Sequence, residues 1–212
     1  TGSNYFVLTL DQHYLPDVFW TNAPRAALWS IARQMRLRPK VPPIYTNSLG
    51  MVLALVPNLP GGKDEGYIGM FEVSQAQYQQ LMRTNPSSDK ARGPDLPVNY
   101  VSPTNAQDFC ARLTAADSKL AALGGSFRYD LPSEEQWHFC AANTPTTGAV
   151  LGAGLFQKSG PERIGTSPPN RLGLHDILGN VSELCSLPGS DASYLALGGN
   201  YQVSATFVSR NI

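Results

Sequence analysis

Leu131-Pro132-Ser133-Glu134-Glu135-Gln136-Trp137, Asn170-Arg171-Leu172-Gly173-Leu174-His175-Asp176-Ile177-Leu178-Gly179-Asn180-Val181-Ser182-Glu183 and Gly198-Gly199-Asn200-Tyr201 follow one another in that order, and they decide how this chain folds. In the first, Ser133 stands three residues before Gln136, the spacing at which two side chains satisfy each other's orphan amides at a helix start. Trp137, Cys140 and Ala141 then fall on one face, which predicts a short helix with its tryptophan in the core. The other two stretches lack helical period. From Asn143 to about Leu195 the chain is rich in Gly, Pro, Thr and Ser, the composition of ordered loop.

Working outward, the same signals recur upstream. Ser102-Pro103 opens a helix on which Ala106, Phe109, Cys110 and Leu113 share one stripe. Ser74 and Gln77 form another capping box, and Tyr78, Leu81 and Met82 give that helix its apolar side. Met51 to Val56 and Tyr67 to Val73 are apolar runs of strand length, separated by the turn residues Pro60-Gly61-Gly62. Residues 1–45 differ: Ala23 to Met35 is an amphipathic helix with Pro24 in its first turn, closed by the Pro39–Pro43 stretch. The organisation expected is an N-terminal extension over 1–45 and one domain over 46–212.

Bulk properties exclude several classes. The chain has 212 residues, with 16 basic residues against 16 acidic ones, so no net field draws in nucleic acid or anionic lipid. No apolar run nears the roughly 20 residues of a membrane span. The chain opens on Thr1-Gly2-Ser3 rather than Met, so a missing signal peptide decides nothing. Cys110, Cys140 and Cys185 have no metal spacing. Cys110 and Cys140 admit two readings, a bridge formed in an oxidising compartment or two small buried hydrophobes. His175 and Asp176 are adjacent and suit a structural turn better than a catalytic pair, and Gly61-Gly62-Lys63 lacks phosphate-loop spacing.

Taken in order with Asn47-Ser48-Leu49-Gly50-Met51, Tyr67 to Tyr78 and Leu96 to Cys110, these stretches resemble the formylglycine-generating enzyme (sulfatase-modifying factor) family. The resemblance implies an α+β fold of C-type-lectin-like character, loop-rich, with few short strands and two or three helices. It covers about three quarters of the chain and departs from the family in two places. The polar segment after the first strand is cut to Asn58 through Lys63. The match stops at Ser209-Arg210-Asn211-Ile212, short of the family's Gly-Phe-Arg and closing strand.

The largest departure is chemical. The family's enzymes carry a cysteine pair after the third stretch, and thiolates there hold copper(I). Here the corresponding positions are Val203 and Val208, with no cysteine after Cys185, so neither copper nor catalysis is expected. The family's sulfoxide-synthase branch uses three histidines on iron, and His13, His138 and His175 are not spaced for that. By resemblance, Asn180, the Val181 carbonyl and Glu183 form a calcium site of hard oxygens. The alternative is a turn capped by Asn180 with Glu183 in solvent.

What remains is a scaffold without its chemistry. The expectation is a non-catalytic regulatory or partner-binding protein, periplasmic or otherwise extracytoplasmic, with Asn200, Tyr201 and Arg210 contacting the partner. The partner would be another protein, such as a kinase sensor region or a component of type VI secretion. The rival expectations are an enzyme with a rewritten site and a retroelement-diversified ligand-binding protein varying around Asn200 to Ser209.

Overall fold

The computed structural model describes residues 43–61, 65–123, 127–144, 155–187 and 193–203. The Ala23–Met35 helix, Val208 and Arg210 lie outside the described residues. β1 (Ile44–Thr46), β2 (Val52–Pro57) and β3 (Glu65–Gly69) form an antiparallel sheet with β2 at its centre. Ala54 pairs with Ile44 on one side and Ile68 on the other. β1 thus begins at Ile44, inside the stretch expected to be extension.

β2 explains why its sequence is a continuous apolar run. Side chains alternate across a strand, and both faces of this one are covered. Val52, Ala54 and Val56 enter one core with Ile68, Trp137, Cys140, Leu174, Ile177 and Cys185. Leu53 and Leu55 enter a second core with Tyr67, Tyr78, Phe109, Cys110 and Leu113. Burial on two sides removes the apolar/polar alternation that marks a half-exposed strand. Truncating Leu113, 1% exposed, to alanine would cost about 2–5 kcal/mol.

Each helix starts where its cap stands. α1 (Gln75–Met82) and α3 (Glu134–Ala142) both begin with a complete capping box, on Ser74/Gln77 and Ser133/Gln136. α2 (Pro103–Ala116) starts on Ser102 with proline in its first turn. α1 and α2 lie against the Leu53/Leu55 core, where Tyr78 and Phe109 stack with ring centres 5.4 Å apart. α3 lies against the other core. Cys110 and Cys140 therefore belong to different cores and are unbridged, which settles them as buried hydrophobes.

β4 (Glu183–Ser186) and β5 (Tyr194–Leu197) make a separate antiparallel pair, Cys185 opposite Leu195. It is fastened to the start of α3 by Ser186 N–H donating to Pro132 O at 2.7 Å. The second run expected as strand, Tyr67 to Val73, stays strand only to Gly69, and Phe71 and Glu72 turn inward. Three helices and five short strands among the described residues make a loop-rich α+β architecture.

Asp117, the C-cap of α2, is the hub that ties these parts. Its carboxylate accepts from Tyr45 Oη at 2.6 Å, Tyr129 Oη at 2.7 Å, Ser48 Oγ at 2.5 Å and Ser48 N at 2.9 Å. Burial alone would raise its pKa, but these donors outweigh that and hold it below the usual carboxylate value.

Candidate functional site

The loop 174–183 brings the expected site residues together by main-chain necessity. Gly179 has φ 95°, and a Cβ there would meet the Leu155 and Phe156 side chains at 2.9 Å. Asn180 follows with φ 54° and is fully buried. Its Nδ2 donates to Glu72 Oε2 at 2.7 Å, and its Oδ1 accepts from Glu162 N at 2.8 Å. Val181 N donates to Glu72 Oε1 at 3.3 Å. Glu72 is thus the anchor of the loop, although it went unremarked in the sequence.

Glu183 begins β4 and is 8% exposed, so the alternative of a solvated side chain is wrong. Its Oε2 accepts from Trp137 Nε1 at 3.2 Å, while Oε1 is buried with no hydrogen-bond partner. Trp137 is core, as expected, and is also the donor that orients Glu183. Gly198 presses on the same carboxylate: with φ 88°, it has no room for a Cβ against Ile177 O at 2.8 Å and Glu183 Oε2. Desolvation pushes Glu72 and Glu183 well above the ordinary glutamate pKa, and Asp176 adds like charge to both.

The segment after Gly198 is laced to this loop. Gly179 N donates to Gly198 O at 2.9 Å, Tyr201 N to Asn180 O at 2.8 Å, and Ser182 Oγ to Gly199 O at 2.9 Å. Asn200 and Tyr201 are half-buried at the edge of the site, and Val203 packs partly buried on the core. The structure therefore unites Asn180, Val181, Glu183, Asn200 and Tyr201, together with Val203.

A calcium ion takes six to eight oxygens. Of the expected ligands, Asn180 Oδ1 holds the Glu162 amide and Glu183 Oε2 holds Trp137, which leaves Glu183 Oε1 as the free side-chain oxygen. Among the described residues no group of three or more His, Cys, Asp or Glu is arranged to hold a metal. The Val181 carbonyl completes the expected set, in which Asn180 Oδ1 and Glu183 Oε2 already hold protein donors.

His175 and Asp176 are structural. The imidazole Nδ1 donates to Ser167 O at 2.7 Å and stacks on Phe71 at 4.5 Å. Asp176, at φ 55°, accepts from Ser167 N at 2.7 Å and from Gly165 N. Burial lowers the His175 pKa and raises that of Asp176, so neither is poised as a solvent-facing acid or base. The thiols are no more available: burial raises Cys110 and Cys140 to about 12 and lifts Cys185 as well.

Beside Glu183 opens a cavity of about 530 Å³, within the range of small-molecule sites. Val98, Phe109, Leu131 and Ile177 are among its apolar lining, and Trp137, Glu183, Tyr100, Asn200 and Tyr201 also border it. Tyr100 is 74% exposed and sits at φ 58°, a strained conformation for a bulky residue. Among the described residues, no helix is long and apolar enough to cross a membrane.

No curated protein matches the chain. Among solved structures it is similar to Treponema denticola variable protein 1, with a TM-score of 0.63 at 20% identity, over 79% of this chain and 91% of that one. That likeness supports the fold, a C-type-lectin-like architecture of the formylglycine-generating type. The model of the sulfatase-modifying factor enzyme 1-like domain matches residues 63–210, covering the capped helices, the Asn180 loop and the Gly198 segment alike. With most of its length under that match and the expected architecture in place, the chain belongs to the sulfatase-modifying factor enzyme 1-like domain family.

Proposed function

We propose that this chain is a non-catalytic binding protein that uses the face around Asn200 and Tyr201 to hold another protein. One observation carries the reading: no sulfur is on offer where the family's copper chemistry needs it. Val203 stands at one catalytic position and Val208 at the other, and all three cysteines are buried, unpaired and raised in pKa. A thiol held protonated is neither a nucleophile nor a soft ligand. The fold meanwhile retains its rigid loop system, and recognition needs only that.

The test has two arms. Copper(I) competition and oxygen uptake with a cysteine peptide should give no stoichiometric capture and no turnover; either one restores the enzyme reading. Affinity capture from the native host should then yield one stoichiometric protein whose retention falls on Tyr201→Ala. The narrower proposal of an extracytoplasmic regulator of type VI secretion acting on a kinase sensor region is decided by that partner's identity. It rests on the sequence resemblance.

A second reading is favoured by the likeness to a protein named as variable. If this chain is a diversified ligand-binding protein, sibling alleles will differ mainly over residues 200–209. Scattered differences count against it.

A further inference from the structure

We propose that the cavity of about 530 Å³ bordered by α2, α3 and the β4–β5 pair binds a small uncharged organic molecule, an apolar body carrying a hydroxyl or carbonyl. This goes beyond the partner-binding reading and does not need it, because a small molecule can load with no protein present.

Three observations converge. The first is apolar surface left open. Val73, Val98, Val101, Leu131, Val181 and Leu184 line the cavity, and all are half-buried rather than closed inside the cores. Tyr100 lines it too and is 74% exposed, the large hydrophobic side chain left in solvent among the described residues. Exposed apolar residues scattered singly are ordinary, but a group of them around one concavity of this size is the pattern of a ligand site.

The second is the lack of usable charge. Among the described residues of the lining there is no lysine, arginine or histidine, so an anion would find no counter-charge. The acids are already engaged. Asp130 has one oxygen on Arg128 at 2.9 Å and the other on the Leu131 amide at 2.9 Å. Glu72 holds Asn180 and Val181, and Glu183 holds Trp137 with its second oxygen closed off from solvent. A cation would therefore meet no unengaged carboxylate oxygen. Stripping water from a charge of either sign without replacing it is costly, whereas an apolar body gains by leaving water.

The third is the polar capacity that remains, and it is neutral. Asn200 uses Oδ1 on Gln202 N at 2.9 Å, which leaves its Nδ2 to donate. Ser182 Oγ donates to Gly199 O at 2.9 Å and keeps its lone pairs to accept. Both residues line the cavity and are half-buried, so a ligand can reach them. A hydroxyl answers either group and a carbonyl answers Asn200. A pure hydrocarbon would cover both and leave them without a partner.

The experiment compares three probes of one shape on the purified 212-residue chain at about pH 7, by calorimetry and ligand-observed NMR: 2-naphthalenemethanol, 2-naphthalenemethylamine and 2-naphthoate. The alcohol should bind saturably, and both charged probes roughly tenfold or more weaker. Ala196 lines the cavity at an exposed position, so it can be altered without entering a core. Ala196→Trp should fill the space and cut alcohol affinity roughly tenfold or more. Ala196→Lys should supply the missing cation and raise naphthoate to the level of the alcohol or above it.

A charged probe that binds the unaltered chain as tightly as the alcohol, or no saturable binding of the alcohol, overturns the inference. So does undiminished alcohol binding by folded Ala196→Trp, or naphthoate still excluded from folded Ala196→Lys. Should either variant not fold, the three-probe ranking on the unaltered chain decides. Capture of a protein partner by a chain that ignores the alcohol would sink this site and leave the binding-protein reading standing.

Discussion

Replacing Asp117 by alanine should destabilise the protein more than any other single carboxylate change. The side chain is 5% exposed, and its oxygens receive two tyrosine hydroxyls and both donors of Ser48. Ser48 is exposed and can turn to water. Tyr45 and Tyr129 are 8% and 4% exposed, so their hydroxyls would be stranded at about 1–3 kcal/mol each. The sum is about 4 kcal/mol, a fall in melting temperature of roughly 8–16 °C for a chain of this length. The sign with pH is fixed by the lowered pKa of Asp117. Its contribution is complete above the unfolded carboxylate value of about 3.9 and disappears as pH falls through the lower folded value. The two proteins should therefore converge in stability in acid. Urea unfolding of both proteins from about pH 2 to 7 measures this. A loss under about 1 kcal/mol at neutral pH, or a gap that ignores acid, would refute the hub.

Four further outcomes follow from the same geometry. Gly198→Ala, at φ 88° with Ile177 O and Glu183 Oε2 in the way of a Cβ, should cost about 2–4 kcal/mol in urea unfolding, and a cost near zero would show the loop is placed otherwise. Burial raises the Glu183 pKa, so its carboxyl contributes most below the unfolded value of about 4.3, and that contribution is lost as pH rises through the folded one. Glu183→Gln should accordingly flatten the pH dependence and be at least as stable near neutrality; a neutral-pH loss above about 2 kcal/mol would contradict this. Millimolar calcium or EDTA should leave the melting temperature unmoved, whereas a saturable rise with calcium would show that the Asn180 loop rearranges around an ion. The three thiols should react with dithionitrobenzoate only as the chain unfolds, and prompt labelling of any one in the native state would dispute its burial.

What was legible in the sequence is local chemistry. Ser74/Gln77, Ser102 and Ser133/Gln136 announce their helices because a cap is read from residues three apart, and the structure places all three starts there. β2 was legible as apolar, yet its burial on two faces was not, since nothing local says what will cover each side. β4 and β5 hide in loop composition: Glu183-Leu184-Cys185-Ser186 and Tyr194-Leu195-Ala196-Leu197 are four residues each, and β4 is fastened by the distant Pro132 carbonyl. The partners of Glu183 are equally non-local. Trp137 lies 46 residues away, and the Glu72–Asn180 bond spans 108. A signal did exist for Glu72, a charged residue inside the apolar run Tyr67 to Val73, where an ionisable group must be either paired or neutral. Asp117 carried no such mark, because a C-cap carboxylate is ordinary until two tyrosines from elsewhere reach it.

The geometry also separates what holds this fold from what its relatives do with it. The two cores on β2, the Asp117 hub, the Glu72–Asn180 and Glu183–Trp137 bonds and the backbone bonds of the Gly198 segment hold the described loops around the site. Of these, only the edge of one core touches the side chain of Val203. That residue is partly buried, packs on the edge of one core, and engages its neighbours through its backbone, its N–H donating to Asn200 O and its carbonyl accepting from Gln157 N. A cysteine of nearly the same volume would keep those backbone bonds at a cost under about 1.5 kcal/mol. Packing therefore demands neither sulfur nor valine at this position. The scaffold is indifferent to which of the two stands there, and its loops keep their register with either.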